Sequence, residues 1–239
     1  MLFGLGDRGT PPPAVAAPPP ALIGEDLACR RGERLVFQGA AFRVPPGGVL
    51  LLTGANGSGK TSLLRLVAGL LTPAAGRLLW GATPVAADFA GHRSRLNYVG
   101  HLDALKSAAT PREMLVFWAA LRGRRLPHAA PALDQALAAF ALDEVADWPS
   151  RWLSAGQRRR VALARLLAAP APLWLLDEPM TALDAASQGR LLAVIADHRA
   201  AGGMAIIATH TAMTLEASAT LVLDRLAPHV SPDPAWGGS

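Results

Sequence analysis

The stretch LLTGANGSGKTSLL, residues 51–64, constrains this chain more than any other feature. A short apolar run drops into a loop with three glycines, and a lysine and a helix-like pattern follow. Gly54, Gly59, Lys60 and Thr61 fit the spacing G-x-x-x-x-G-K-[ST], in the strand–loop–helix context that gives the spacing its meaning. Glycines let backbone N–H groups turn toward one point, and a helix starting there adds its free N–H groups and the positive end of its dipole. Such a loop suits closely packed phosphate oxygens. The candidate cradle is Gly54, Ala55, Asn56, Gly57, Ser58, Gly59, Lys60, Thr61 and Ser62. Lys60 would put a full charge beside the terminal phosphates, and the Thr61 hydroxyl is a candidate Mg²⁺ ligand. The lysine is a pointed choice: of 23 basic residues, only Lys60 and Lys106 are lysine.

Around the loop, strands and helices alternate. GVLLLTG reads as a buried strand and TSLLRLVAGL as a helix ended by Gly69 and Pro73. ERLVFQGAAFRV reads as two short strands around a turn, and GRLLWG and RLNYVG as further strands. From about 102 to 170 the pattern is helical, with a start signed by Thr110, Pro111 and Glu113. LWLLDEP and GMAIIATH return to buried strands. This order predicts an α/β chain whose parallel sheet is interrupted by a helical insertion. The Pro-rich residues 1–22 and the last residues, 228–239, lack periodicity and are expected to be unstructured tails.

Composition narrows the function classes. A net charge of +5 is mild and scattered, and no basic run alternates with aromatics, so no nucleic-acid partner is expected. A single cysteine, Cys29, excludes a disulfide within the chain and a cysteine-built metal site. The longest uncharged apolar run, LLAAPAPLWLL, is too short to span a bilayer. Asp7 and Arg8 interrupt the apolar continuity that a signal peptide needs.

A second motif says what happens to the nucleotide. In PLWLLDEP four apolar residues carry a strand to its carboxyl end, where sites lie in open α/β sheets. Asp177 would reach Mg²⁺, and Glu178 could polarise a water for in-line attack on the γ-phosphate. His210, at the end of another apolar strand, could bond that phosphate or be a surface histidine; the residues alone leave both open.

LSAGQRRRVALARLL at 153–167 resembles the signature motif of ATP-binding-cassette (ABC) ATPases, TALD at 181–184 their D-loop, and ATH at 208–210 their switch-histidine segment. The motif order also matches, over about residues 24–225. The resemblance implies a P-loop NTPase fold: a RecA-like parallel-sheet core with an antiparallel β subdomain and an inserted helical subdomain, one domain over 23–227. It implies ATP and Mg²⁺ as ligands and assigns His210 the switch role. It also implies that Leu153, Ser154, Ala155, Gly156 and Gln157 act on the ATP held by a second copy in a head-to-tail homodimer, with Asp184 in the D-loop. The arginines 158–160 read as a solvated helix face.

Two positions depart from the family pattern. In NYVGH, His101 stands where the family usually has glutamine. Arg31 stands where an aromatic usually stacks on adenine; its guanidinium plane could stack instead, with Phe37 as the fallback. Together with the LSAGQ spelling and the short carboxyl end, His101 makes the chain similar to the ATPase subunits of bacterial cytochrome c biogenesis (Ccm-type) exporters, associated with haem. That implies separate integral membrane permease subunits of the cytochrome c maturation system, docked near His101 to Glu113 at the cytoplasmic face of the inner membrane. An ABC transporter of another solute, or a soluble ABC ATPase, remains open at this point.

Overall fold

The computed structural model describes residues 19–124, 130–211 and 213–227. The expected tails, 1–22 and 228–239, fall outside these residues except at 19–22, where Ala21 and Leu22 are buried and Leu22 already opens the first strand, so regular structure begins earlier than the Pro-rich pattern suggested.

Among the described residues, nine strands form two sheets. In the first, β1 (Leu22–Arg31) pairs antiparallel with β2 (Arg34–Val44) on one side and with β4 (Ala75–Trp80) on the other, and β4 carries the short β5 (Thr83–Pro84). The expected pair of strands around a turn in ERLVFQGAAFRV is instead the single strand β2. Gly39 adopts φ +72°, and the register slips between Leu27↔Ala40 and Cys29↔Phe37. The glycine thus makes a β-bulge that twists the strand without reversing it.

The second sheet is parallel, in the order β6 (Leu96–Val99), β7 (Leu173–Asp177), β8 (Met204–Ala208), β3 (Val49–Thr53), β9 (Ala219–Val222). All five residues of β7 and of β8 are buried, because both faces of the sheet are covered. The period of two divides their side chains between two cores. Leu50, Leu52, Leu175 and Ile206 pack with α1 (Lys60–Val67) and the antiparallel sheet, while Trp174, Leu176 and Ile207 pack on the opposite side. That second core also takes in α3 (Pro111–Leu121), α4 (Ala130–Ala139), α5 (Ala155–Ala168) and α6 (Ala185–Ala200) through Leu115, Leu137, Val161 and Ile195. The start of α3 is the expected capping box: Thr110 Oγ1 accepts from Glu113 N, and Glu113 Oε2 accepts from Thr110 N.

A buried histidine ties the first core together. His92, in α2 (Phe89–Ser94), accepts at Nδ1 from Trp80 Nε1 (2.9 Å), so Nε2 carries the proton and donates to Val67 O at 2.7 Å. Burial holds its pKa below the usual 6.5. Parallel order brings the carboxyl ends of the neighbouring strands β3, β7 and β8 to one edge of the sheet, and the site is built there.

Candidate nucleotide-binding site

β3 ends at Thr53, the glycine loop follows, and α1 begins at Lys60. The residue before the helix, Gly59, has φ +104° and offers no capping side chain, so the first amides of α1 stay open to an anion. A side chain at Gly59 would also collide with Val36 and Phe37, its Cβ lying 2.8 Å from Val36 Cγ1. Lys60 is 7% exposed, and its Nζ donates to Gly54 O (2.7 Å) and Ala55 O (3.0 Å). The loop therefore folds back on its own lysine and holds that cation at its mouth.

The loop has a second support. The Asp224 carboxylate accepts from Ala55 N at 3.0 and 3.1 Å. The Gly54–Ala55 peptide is thus gripped on its carbonyl by Lys60 and on its N–H by Asp224. Sequence reasoning missed Asp224, since the 169 residues between the partners leave no local pattern.

From β7, Asp177 is 2% exposed and accepts from Thr61 Oγ1 at 3.1 and 3.0 Å. The two predicted metal ligands therefore meet. One hydroxyl beside one carboxylate suits a hard cation that keeps waters and substrate phosphate oxygens as its other ligands, as Mg²⁺ does. Tyr98 Oη reaches Asp177 Oδ2 at 3.4 Å, and burial first, then the Asp177 charge, raises the Tyr98 pKa.

Glu178 follows with φ +48°, a left-handed backbone that a non-glycine residue adopts at a cost of about 1–2 kcal/mol. Glu178 N donates to Ala208 O at 2.9 Å. The twist turns the carboxylate to His210, whose Nδ1 lies 2.8 Å from Glu178 Oε1. The structure thus pairs two residues that the sequence placed on separate strands.

These groups share one cleft of about 630 Å³. Asn56, Gly57, Gly59, Lys60, Thr61 and Ser62 form one wall; Asp177, Glu178, Thr181 and His210 form another. His101, Arg31, Arg34 and Val36 also line the cleft. Arg31 thus faces the cleft, joined by Arg34, which the motif reading had passed over. Phe37, the fallback for adenine, is fully buried beneath Gly59 and does not line the cleft. Ala55 and Ser58 line a neighbouring cavity with Arg34 and Asp224, and neither they nor Gly54 line this cleft.

Leu153, Ser154, Ala155, Gly156, Gln157 and Asp184 do not line it either. Ser154 caps α5 in a closed capping box: its Oγ accepts from Gln157 N (3.1 Å), and Gln157 Oε1 accepts from Ser154 N (2.8 Å). Gly156 packs on the TALD loop, where a Cβ would come within 2.9 Å of Ala182 O. Asp184 caps α6, accepting from Ser187 N at 2.7 Å, and these bonds to Ser187 hold its pKa below the usual carboxylate value.

The three arginines of α5 correct the solvated-face reading. Arg158 donates to Leu153 O, Arg160 donates to Phe140 O and Ala141 O, and Arg159 is 3% exposed. The run is charged, but α5 lies between the sheet and α3–α4, so its long side chains reach main-chain carbonyls of neighbouring segments.

Residues 37–181 match the ABC transporter family. The chain is 56% identical over 227 residues to a cytochrome c biogenesis ATP-binding export protein CcmA of Rhodospirillum rubrum, covering 94% of each chain. It is 46% identical to the protein of the same name from Nitrosococcus oceani, covering 84% of this chain and 91% of that one. Its fold matches a putative ABC transporter ATP-binding protein from Pyrococcus furiosus, with TM-score 0.77 and 22% identity over 87% of this chain and all of the other. It also matches a bacterial Atm1-family ABC exporter with ATP bound, with TM-score 0.76 and 24% identity over 89% of this chain and 38% of the other. Among the described residues, no helix is long and apolar enough to cross a membrane.

Proposed function

The chain belongs to the ABC transporter ATP-binding family, and on that premise we propose that it hydrolyses ATP to drive a cytochrome c biogenesis exporter at the cytoplasmic face of a bacterial inner membrane. The similarity to cytochrome c biogenesis ATP-binding export proteins supports a step of cytochrome c assembly as the process served, and haem is the cargo we infer. Residues 23–227 act as one ATPase domain, with 102–170 as its helical insertion.

The observation that carries this reading is the Glu178–His210 pair facing Lys60 and the Thr61–Asp177 contact across one cleft. The open amides of α1 and the Lys60 ammonium bind and orient the β- and γ-phosphates. Thr61 and Asp177 would hold Mg²⁺, which would supply charge neutralisation at the phosphate oxygens. Glu178 accepts a proton from the attacking water, its carboxylate held by the His210 backbone N–H, and the His210 ring donates toward the γ-phosphate. Arg31 and Arg34 hold the base end. The uncovered side of the γ-phosphate is closed by residues 153–157 of a second copy, so the working unit is a homodimer with two ATPs at its interface.

The membrane partner docks on the helical insertion. Leu102 is 82% exposed and Phe117 47%, with Lys106 Nζ 5.8 Å from the Phe117 ring centre. Leu102 directly follows His101, which lines the cleft. The test of the catalytic reading is Glu178→Gln: ATP remains bound while turnover drops roughly 10²–10⁴-fold. Normal turnover by that variant would remove Glu178 from the mechanism.

A further inference from the structure

Arg159 is the most deeply buried cation in the neighbourhood of the site, and its partners are not those of a packing residue. Nη1 donates to Gly100 O at 2.8 Å and lies 3.3 Å from Asp103 Oδ1. Nη2 donates to Asp177 O at 2.8 Å and to Glu178 O at 2.9 Å. One planar group on α5 thus bridges the loop after β6, which carries His101, and the end of β7, which carries the acidic pair. Burying a cation costs several kcal/mol unless it is well paired. Here the pairing is one partly exposed carboxylate and three carbonyls, and Nε finds no acceptor among the described residues. An apolar side chain would serve packing at least as well.

The bonded carbonyls explain what the bridge holds. Glu178 is in a left-handed backbone conformation, and such strain persists only where the surroundings over-determine it. Its N–H is fixed by Ala208 O on β8, and its C=O by Arg159. Between these two ties the carboxylate points at His210. Rotating either peptide swings it away.

We propose that Arg159 is a positioning residue for ATP hydrolysis, through which the loop Gly100–Asp103 sets the backbone of Glu178. A partner that shifts this loop displaces Gly100 O and Asp103, the guanidinium follows, and the Glu178 carbonyl turns with it. This rests on the reading above, in which Glu178 activates water and the loop neighbours the membrane subunit. The geometry needs a guanidinium. A lysine keeps the charge but has no planar fork to span two pairs of acceptors in two segments.

The test uses the assembled ATPase–permease complex and measures kcat, KM and ATP affinity for Arg159→Lys and Arg159→Met, with Glu178→Gln as control. Expected is a fall in kcat of about tenfold for both, at near-unchanged KM and affinity, the pattern of a contact that acts only in the transition state. Lysine gives no rescue. Because a buried arginine variant can fail to fold, Asp103→Asn supplies the independent arm: stimulation of turnover by the permease falls about threefold or more at unchanged ATP affinity. Wild-type kcat in Arg159→Lys, or loss only in proportion to unfolded protein, overturns the proposal, as does full permease stimulation in Asp103→Asn. If Glu178→Gln itself turns over normally, the catalytic reading fails first; if it is inert while the Arg159 and Asp103 variants behave as wild type, only this inference fails.

Discussion

Two helices of this protein begin at its glycine loop and at its signature-like segment, and they begin in opposite ways. α1 starts behind Gly59, with a positive φ and no capping side chain. α5 starts behind Ser154 in a closed capping box with Gln157. Leaving a helix end uncapped costs about 1 kcal/mol, a penalty that a bound anion offsets. The glycine loop accepts that penalty and surrounds its open amides with Lys60, Thr61, Asp177 and Glu178. The α5 end is satisfied without a ligand and shares no cleft with those groups. One end is therefore open to an anion as it stands, and the other is a self-contained surface that, in the proposed dimer, would meet an anion held by a second copy.

Removing the cation from the open end is the severest way to break this contrast. Lys60→Ala should lower turnover roughly 10²–10³-fold and weaken ATP binding, read by steady-state kinetics and nucleotide titration. At the capped end the two duties of Ser154 can be separated. Ser154→Asp keeps a good cap, so thermal stability should hold, yet its charge opposes the γ-phosphate and turnover should fall about a hundredfold. Ser154→Ala should instead lose about 1 kcal/mol of stability. Gly156→Ala should act more mildly. The new methyl presses on Ala182 O and must displace the TALD loop, for a several-fold loss of turnover at near-normal ATP affinity in the free chain.

The smallest effect belongs to neither end. His92 is neutral in the fold, and burial holds its pKa below its unfolded value of 6.5. Its contribution is complete above that pH and is lost as pH falls toward the depressed value, because the unfolded chain takes up the proton first. His198 is shifted in the same direction by burial. Thermal midpoints should therefore drop between pH 7 and 5.5, and His92→Asn should remove about half of that slope.

What the sequence disclosed follows the same division. The open end is written contiguously, in GANGSGKT, DEP and ATH at strand ends, because short apolar runs and glycines are local signals. The capping boxes of α3 and α5 are local too; Thr110 and Glu113 were legible directly, whereas the Ser154–Gln157 box lay hidden in a motif read for its anion. Long-range placement was not legible. Arg159 sits in a run of three arginines that looks like a wet face, and only the packing of α5 against the sheet reveals that its middle member is buried. Asp224 and Arg34 reach the site from distant segments with no motif around them. The turn expected within ERLVFQGAAFRV is absent, because pairing with β1 keeps the segment one strand and Gly39 forms a bulge instead.

The central claim is that each ATP is completed by two copies, and mixing two inactive variants tests it most directly. Copies carrying Lys60→Ala and copies carrying Ser154→Asp are each assembled with the permease and then co-assembled. If sites are shared across a two-fold interface, random pairing leaves about one site in four with both motifs intact, and ATP turnover rises well above that of either variant alone. Turnover no higher than the average of the two parents would contradict the account and place the whole site within a single chain.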